Sequence, residues 1–279
     1  MTAESTAKTP LAPGIAGEEI VPGYEVVRLL RRGSRLDTYD VYSQERYCRC
    51  VLKVLTADRQ AEDRCRDALI REGNLLRDLT HPHLLRAYEV VEAPRTAIVL
   101  ETLTGDTLAA LIEDAPLSPL DTALLGSQLA SALGYLHRHG WLHLDVKPSN
   151  VVVQSGRAIL LDLSVASRPG DGRPHAGTVG YLAPEQVSGR GLSPSADVFG
   201  LAVTMGEALT GQLPMEDPSW RRSSRTASTP TRSFRRRLAK TPEPLAGLIL
   251  ASLEADPAQR PTMSDARTAL SRYAADSGR

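Results

Sequence analysis

The stretch HLDVKPSN, residues 143–150, holds an acid, a cation and a carboxamide within eight residues. Asp145 can orient an acceptor hydroxyl and take its proton, Lys147 can neutralise a phosphoryl group in transfer, and Asn150 can ligate a metal ion. The same residues can also form an ordinary polar turn. The sequence favours phosphoryl transfer only if other parts of the chain supply the remaining groups that this chemistry needs.

A further acid, Asp162, follows the strand-like run AILL at residues 158–161. A Gly-containing turn separates this run from VVV at residues 151–153, so the two runs are predicted to pair as a hairpin. Such pairing would bring Asn150 and Asp162 together at one edge. Both side chains are then candidate ligands of a metal ion that also binds phosphates.

Lys53 lies inside the apolar run VLKVL, where an unpaired ammonium would be unfavourable. Glu72, on a predicted helix further along the chain, is a candidate partner. A lysine held in this way can grip the α- and β-phosphates of a nucleotide. The alternative interpretation is a surface charge, which is the commoner situation for a single lysine on a strand.

The elements around these groups change along the chain from strand-like to helix-like patterns. Between Tyr24 and Glu101 the residues predict five strands, with one helix between the third and the fourth. After about residue 105 the patterns are mainly helical, and one helix is predicted to start at Ser118–Pro119 and to stop at Gly140. The strand-like runs are YEVVRLL, TYDVYS, YCRCVLKVL, RAYEVVE and TAIVLE, and the helix between them is RCRDALIREGNLLRDL.

This order predicts an α+β fold of two lobes, a small β-rich N-lobe with one main helix and a larger, mainly helical C-lobe. The N-lobe is expected at about residues 21–102 and the C-lobe at about 106–275, joined near Glu101–Gly105. Residues 1–20 are expected to be a disordered lead-in. An insertion at about 219–237, rich in Arg, Ser and Thr, is expected to be flexible, with a docking or phosphoacceptor segment as the alternative.

The composition narrows the class of protein. Lys plus Arg and Asp plus Glu both number 33 in 279 residues, so no net charge attracts the chain to nucleic acid or to an anionic membrane. The N-terminus lacks the apolar core of a signal peptide, and the longest apolar segment, Thr122–Leu136, is too short to span a membrane. A cytoplasmic protein is therefore predicted. Cys48 and Cys50 are interpreted as strand thiols, because two further soft ligands for zinc are not found nearby.

With these parts in order, the chain resembles the catalytic domain of eukaryotic-type protein kinases, most closely the bacterial serine/threonine kinases. The resemblance runs from about Tyr24 to Tyr273 and rests on motifs in the same order as in that family. The matching motifs are Lys53, Glu72, H-x-D-x-K-x-x-N at 143–150, Asp162, GTVGYLAPE at 177–185, Asp197 in SADVFGLAV and Arg260 in DPAQRPT.

The resemblance implies a kinase-like fold and transfer of the γ-phosphoryl group of ATP to Ser or Thr of protein substrates, with Mg²⁺ or Mn²⁺ as the metal. It implies neither a membrane partner nor a dedicated nucleic-acid site. Lys147 and Thr178 favour a serine/threonine kinase over a tyrosine kinase, and Glu185 with Arg260 argues against a small-molecule phosphotransferase. The implied roles are catalytic for Asp145 and Lys147, ATP-binding for Lys53, Glu72, Gly33, Val51 and the hinge from Glu101 to Leu103, metal-binding for Asn150 and Asp162, and structural for His143, Thr178, Glu185, Asp197 and Arg260.

The glycine loop departs from the family pattern. G-x-G-x-x-G-x-V falls on Arg31, Gly33, Leu36 and Thr38, so one glycine of three remains, and Val51 replaces the usual alanine. Glycines at these positions let backbone N–H groups approach the phosphates. The departure favours an alternative function, a pseudokinase that acts as a nucleotide-binding or scaffold protein.

The activation segment, residues 165–177, also departs from the family pattern. Leu144 stands where many kinases have the arginine that receives the activating phosphate, and residues 165–177 offer one hydroxyl, that of Ser167. Leu163 and Ser164 replace the family's phenylalanine and glycine after the metal-binding aspartate. We therefore expect a segment that is competent without phosphorylation.

Overall fold

Six strands form one antiparallel sheet in the computed structural model, which describes residues 16–215 and 229–278. The strands are β1 (Glu19–Val21), β2 (Tyr24–Arg32), β3 (Leu36–Ser43), β4 (Cys48–Leu55), β5 (Ala87–Val91) and β6 (Ala97–Glu101). Their order across the sheet is β1-β2-β3-β4-β6-β5. The predicted five strands are all present, and the short β1 precedes them.

The alternation of side chains along β4 positions the strand lysine. Cys50, Leu52 and Val54 are buried in the core of this sheet, together with apolar residues of β2, β3 and β6. Successive side chains of a strand point to opposite faces, so Val51 and Lys53 lie together on the other face, where both are half-buried.

The predicted helix of this part is α1 (Asp63–Asp78), and it packs against β5 and β6. Its buried residues recur at helical spacing: Leu69, Glu72, Gly73 and Leu76. A Cβ atom on Gly73 would lie 2.6 Å from the Cγ2 atom of Val90 on β5. The helix therefore approaches the sheet this closely because residue 73 has no side chain, and this approach positions the neighbouring Glu72.

After residue 105 the fold is mainly helical, as predicted. Its longest helix, α3, starts where the sequence indicated: the Ser118 hydroxyl accepts the N–H of Asp121, and Pro119 is the first helical residue. Gly140, with φ +74°, follows the helix end. The helices are α2 (Leu108–Asp114), α3 (Pro119–Arg138), α4 (Pro184–Ser188), α5 (Pro194–Thr210), α6 (Arg232–Leu238), α7 (Glu243–Ser252) and α8 (Met263–Ser277).

A small sheet lies among these helices and consists of β7 (Asp106–Thr107), β8 (Val151–Gln154) and β9 (Arg157–Leu160). The predicted hairpin is β8–β9, in which Val151 pairs with Leu160. The chain segments that carry Asn150 and Asp162 are therefore neighbours at the end of this hairpin.

The described chain divides into two units. The first comprises the described residues up to Thr80 together with Arg86–Thr102, and the second comprises His81–Leu85 and the residues from Leu103 onward. The boundary after Thr102 falls within the predicted joint. The expected α+β class is confirmed, with a β-rich first unit that carries one main helix and a mainly helical second unit.

The expected continuous N-lobe over about residues 21–102 needs a correction at residues 81–85, which belong to the second unit. The N–H of Leu85 donates to the carbonyl oxygen of Leu160, and the N–H of Leu160 donates to that of His83. These backbone hydrogen bonds join the stretch to β9.

The expectation of a flexible insertion at about 219–237 is wrong for its last part. Residues 232–238 form α6, which begins after Thr231, whose hydroxyl accepts the N–H of Phe234. Phe234 and Leu238 are buried, and their i, i+4 spacing gives this basic helix one apolar face. Residues 216–228 and the lead-in residues 1–15 lie outside the described residues.

No helix within residues 16–215 and 229–278 is long and apolar enough to span a membrane. The three cysteines Cys48, Cys50 and Cys65 are free thiols. Burial, with a smaller contribution from neighbouring Cys48, raises the pKa of Cys50 to about 11.

Candidate active site

Asp145 is the centre of a hydrogen-bonded cluster in the second unit. Its Oδ2 atom accepts from Lys147 Nζ at 2.8 Å and from Asn150 Nδ2 at 2.9 Å. Its Oδ1 atom is buried and has no hydrogen-bond partner among the described residues. A buried carboxylate oxygen without a donor is unfavourable. This atom can accept a hydrogen bond from a bound hydroxyl group.

The carboxamide of Asn150 is oriented by the same cluster. Its Nδ2 atom donates to both the carbonyl oxygen and the Oδ2 atom of Asp145, at 3.0 and 2.9 Å. Both N–H bonds of the amide are thus used within the loop. The side-chain oxygen of Asn150 is left as the atom that can bind a metal ion.

Asp162 follows β9 in the left-handed backbone conformation, with φ +58°. Its Oδ1 atom accepts the N–H of Ser164 at 2.9 Å, which orients the carboxylate. The preceding residue, Leu161, donates its N–H to the carbonyl oxygen of Asn150 at 2.8 Å. The hairpin therefore places Asp162 directly after a residue whose backbone is hydrogen-bonded to that of Asn150.

The donor set of these two residues fits a hard divalent cation. One carboxylate and one amide oxygen are what Mg²⁺ takes from a protein when phosphates and water fill its other positions. Within the described part of the chain, no group of three or more His, Cys, Asp and Glu side chains could hold a metal ion by itself.

Asp197, on α5, holds the backbone of the loop that precedes Asp145. It is 1 % exposed, and its two oxygens accept the N–H of His143 at 2.9 Å and that of Leu144 at 2.7 Å. A third donor is His137 Nε2, at 2.8 Å. Burial alone would raise the pKa of Asp197, but the hydrogen bonds from His137 and from the backbone N–H of His143 outweigh it and hold this pKa below its ordinary value.

His143 is fully buried and connects three segments of the second unit. Its Nδ1 atom accepts the N–H of Asp145 at 3.2 Å, and its Nε2 atom lies 2.9 Å from the carbonyl oxygen of Leu161. These partners correspond to a neutral ring with the proton on Nε2. The ring therefore connects residues 143–150, which we name the catalytic loop, to the strand end that carries Asp162.

The segment GTVGYLAPE reaches the catalytic loop through Thr178. Lys147 Nζ donates to the Thr178 hydroxyl as well as to Asp145, so one ammonium joins the two segments. Tyr181 donates its hydroxyl to Glu207 Oε2 on α5 at 2.6 Å. Burial raises the pKa of Glu207, and the hydrogen bond from Tyr181 opposes part of that rise.

The activation segment is anchored at its beginning. Ser167 and Leu142 exchange both backbone hydrogen bonds, at 2.8 and 3.1 Å. The guanidinium of Arg168 lies 4.0 Å from the ring centroid of Trp141 and donates to the carbonyl oxygen of Gly140 at 3.0 Å. Leu163 is buried, so the residue after Asp162 packs as an apolar side chain.

In the first unit, Lys53 Nζ donates to Glu72 Oε1 at 2.7 Å. The side chains are 15 % and 3 % exposed, so water screens this ion pair little. The ammonium is thereby held on the face of β4 that also carries Val51.

The remaining predicted nucleotide-binding residues of this unit lie at two places. Gly33 is in the turn between β2 and β3, where a Cβ atom would lie 2.5 Å from the carbonyl oxygen of Leu36. The one glycine that remains in the motif is thus required by the closure of the hairpin. Glu101 ends β6, and its Oε1 atom accepts the N–H of Arg86 at 2.9 Å. Leu103 is half-buried, and it is the first residue of the second unit after β6.

Three residues of these networks were not found from the sequence. His137 supports Asp197, Gly73 lets α1 approach the sheet beside Glu72, and Gln186 is a buried carboxamide next to the catalytic loop. The apolar periodicity of α1 interrupted by a glycine was the one signal available. A histidine or glutamine within a helix carries no spacing that reveals its partner.

A buried lysine–glutamate pair in a β-rich unit and an acid–lysine–amide loop in a helical unit supply the groups that phosphoryl transfer requires. The chain belongs to the family described as "Protein kinase domain", whose family model matches residues 24–270.

Curated relatives bear this out. The chain is 34 % identical over 204 residues to the serine/threonine-protein kinase PkaA of Streptomyces coelicolor, an alignment that covers 69 % of this chain and 37 % of that protein. It is 29 % identical over 247 residues to the serine/threonine-protein kinase PknD of Mycobacterium tuberculosis, covering 85 % and 37 %. To the serine/threonine-protein kinase PknB of Mycolicibacterium smegmatis it is 28 % identical over 253 residues, covering 85 % and 40 %. The chain thus spans two-fifths or less of the length of these relatives.

These comparisons confirm the recognition of a catalytic domain of the serine/threonine protein kinase type. Use of ATP with a divalent metal ion is general to this family. The roles of the individual residues stay predictions, because they rest on the geometry above.

Proposed function

We propose that this domain transfers the γ-phosphoryl group of ATP to Ser or Thr hydroxyls of protein substrates, with Mg²⁺ or Mn²⁺ as the metal ion. The observation that carries the proposal is Asp145 Oδ1, a buried acceptor that has no donor among the described residues, while the other oxygen of this carboxylate accepts from Lys147 and Asn150. An acceptor hydroxyl supplies the missing donor. Asp145 would then hold that hydroxyl in line and take its proton as the bond from the hydroxyl oxygen to the γ-phosphorus forms and the bond from that phosphorus to the β,γ-bridging oxygen breaks, so that ADP leaves.

Residues of each unit are assigned their own role towards a nucleotide. Lys53, held by Glu72, binds the α- and β-phosphates, and Lys147 neutralises the phosphoryl group in transfer. Asn150 and Asp162 would hold the metal ion, which would supply positive charge that neutralises phosphate oxygens. Gly33, Val51 and the backbone of Glu101 and Leu103 are assigned to the rest of the nucleotide.

The choice of Ser and Thr over Tyr is supported by the link between Lys147 and Thr178. This link brings the segment that precedes Ala183-Pro184-Glu185 against the catalytic loop, where a short acceptor side chain has to reach Asp145. A protein substrate, as opposed to a small molecule, is supported by the ion pair of Glu185 with Arg260, which fixes the end of that segment.

Activity without phosphorylation of the activation segment belongs to the proposal. Leu144 is buried and apolar, so the loop has no cation at the place where other kinases bind the activating phosphate. The segment is instead anchored by neutral contacts and by the stacking of Arg168 on Trp141.

A cytoplasmic location is also proposed, because the reaction consumes the ATP of the cell.

The hairpin β2–β3 favours one alternative, a pseudokinase that binds nucleotide or partners without phosphoryl transfer. Leu36 fills a glycine position of the motif, and the exposed Arg31 occupies another. If the Leu36 side chain hinders the triphosphate, Leu36→Gly should lower the KM for ATP. A pseudokinase would show no transfer in either form.

The proposal is tested by autophosphorylation with radiolabelled ATP, comparing the wild type with Asp162→Asn. Signal in the wild type that is lost in the variant supports the kinase, because the variant keeps the size of the side chain and removes its charge. Absence of signal in both, with a nucleotide-induced rise of the melting temperature retained, supports the pseudokinase.

A further inference from the structure

Gln186 is a buried carboxamide that uses both ends of its side chain. It follows Glu185 on α4 and is 3 % exposed. Its Nε2 atom donates to the carbonyl oxygen of Leu144 at 2.8 Å and to that of Ala176 at 2.9 Å. Its Oε1 atom accepts the N–H of Ala183 at 3.0 Å. One neutral side chain therefore joins the catalytic loop, the activation segment and the start of α4.

The contact with Leu144 acts on the peptide bond that carries Asp145. Leu144 has φ +65°, a conformation that an L-residue with a side chain adopts only when its surroundings hold it. Its N–H is held by Asp197 Oδ1 at 2.7 Å, and its carbonyl oxygen is held by Gln186. The two buried side chains thus fix both peptide groups of this residue, and with them the direction in which Asp145 leaves the backbone.

A second observation shows that these segments meet closely. A Cβ atom on Gly177 would lie 2.5 Å from the carbonyl oxygen of Leu144 and 3.3 Å from Gln186 Nε2, at φ +122°. Glycine is thus needed at the point where the activation segment crosses the catalytic loop. The next residue, Thr178, binds Lys147, so the position of that hydroxyl depends on the same crossing.

From this geometry we infer that Gln186 is a positioning residue for phosphoryl transfer, and that it keeps the activation segment permanently docked on the catalytic loop. The inference rests on the proposed kinase function. Leu144 is 3 % exposed and apolar, so it cannot bind a phosphate as an arginine there would. Gln186 supplies the connection between segment and loop through two neutral hydrogen bonds. A carboxamide cannot be phosphorylated, so neither a kinase nor a phosphatase can act on this side chain directly.

The experiment compares three variants of the full chain with the wild type. Gln186→Met keeps the length of the side chain and removes its hydrogen bonds. Gln186→Glu keeps its shape and its acceptor for Ala183 but, when ionised, cannot donate to the two carbonyl oxygens. Thr210→Val is the matched control, because Thr210 is a buried residue of α5 whose hydroxyl donates to Gly206 O at 2.7 Å, and it has no bond to the catalytic loop. The assay measures kcat and the KM for ATP with dephosphorylated casein as acceptor, on enzyme treated with a phosphatase that is then removed.

In Gln186→Met, kcat should fall by about tenfold or more with the KM for ATP unchanged, because a small displacement of Asp145 is enough for such a loss. Thr210→Val should keep its kcat. In Gln186→Glu the ratio of its kcat to that of the wild type should rise as the pH is lowered, since a protonated carboxyl regains one donor. Amide hydrogen exchange in residues 143–147 and 174–180 should become faster in Gln186→Met without nucleotide.

The inference is overturned if folded Gln186→Met keeps its kcat within about twofold of the wild type, the range of a neutral substitution. An equal loss in Thr210→Val would also overturn it, since the effect would then be general destabilisation. Phosphatase treatment that inactivates the wild type contradicts the permanent docking. A wild type that never transfers phosphate, and that matches Asp162→Asn in every assay, overturns the proposed function itself. In that case hydrogen exchange tests the link made by Gln186 separately. The link is refuted if Gln186→Met and the wild type exchange at equal rates in residues 143–147 and 174–180.

Discussion

Arg260 and Glu185, far apart in the chain, are joined by two parallel hydrogen bonds of 2.7 and 3.0 Å. The side chain of Arg260 is fully buried, and that of Glu185 is 8 % exposed. The guanidinium also donates to the carbonyl oxygens of Glu254, Ser195 and Ala255, so all its N–H directions are used. This ion pair ties the end of the segment GTVGYLAPE to the loop before α8.

Replacing Arg260 should therefore destabilise the second unit strongly. Arg260→Leu would leave the Glu185 carboxylate buried without its cation, and we expect a loss of about 3–5 kcal/mol in the free energy of unfolding. Arg260→Lys keeps the charge but loses the fork of donors, so it should recover only part of that loss. Urea denaturation measures both. Arg272→Leu, at an exposed position of α8, is the control and should change stability by about 0.5 kcal/mol or less. A loss in Arg260→Leu no larger than the control's would contradict a tight pair.

Variants of Lys53 and Glu72 separate the contribution of this ion pair to stability from its contribution to turnover. Lys53→Met removes the ammonium 2.7 Å from Glu72, so it should lower stability by about 3 kcal/mol and turnover by about 10²-fold or more. Adding Glu72→Gln removes the buried charge left behind, so the double variant should regain stability but not turnover. Thermal or urea unfolding and the phosphotransfer assay give the two readings. Unchanged turnover in Lys53→Met would mean that this lysine does not serve the nucleotide.

Much of the candidate site could be predicted from the sequence. Phosphoryl transfer restricts the types of residue that can serve, and strands and helices restrict the spacing of those residues along the chain. Lys53 in an apolar strand demanded a partner, and the sequence offered Glu72 on the next helix. The start of α3 was predictable from Ser118 and Pro119, since local hydrogen bonding and a fixed φ determine such a start. Predictions of this kind depend on a few neighbouring residues.

Other features depend on contacts between distant parts of the chain. His137 and Gln186 are ordinary helix residues until folding brings Asp197 and Leu144 beside them. The Arg-rich composition around α6 indicated a loop. The spacing of four residues between Phe234 and Leu238 was the available signal for a helix with one apolar face. Composition averages over a segment, whereas burial depends on single residues.

Ser167 tests the independence of the site from phosphorylation. Its hydroxyl donates to the carbonyl oxygen of Arg168 at 3.1 Å, whereas its anchoring contacts with Leu142 are made by the backbone. Ser167→Ala keeps those contacts, so kcat should stay within about twofold of the wild type. The phosphotransfer assay checks this, together with mass spectrometry of residue 167 in the wild type. A collapse of kcat in the variant would show that a phosphorylated Ser167 is required.

Glu207 should make stability depend on pH in a defined direction. Burial raises its pKa in the folded state above the ordinary value of 4.5, so the folded protein holds this proton more tightly than the unfolded chain does. Stability is then present below that ordinary value and is lost as the pH rises through the window up to the raised pKa. Glu207→Gln cannot ionise and still accepts the hydroxyl of Tyr181, so its stability should lack this loss. The variant should gain on the wild type as the pH increases across the window.

Urea denaturation of both proteins at a series of pH values gives that difference directly, because other titrating groups are common to both and cancel. Tyr181→Phe sharpens the test. The Tyr181 hydroxyl donates to the carboxylate at 2.6 Å and favours its ionised form, so removing it should raise the pKa of Glu207 further and extend the loss to higher pH. A difference between wild type and Glu207→Gln that is flat with pH, or that grows towards acid, would mean that this carboxyl is not held protonated by burial.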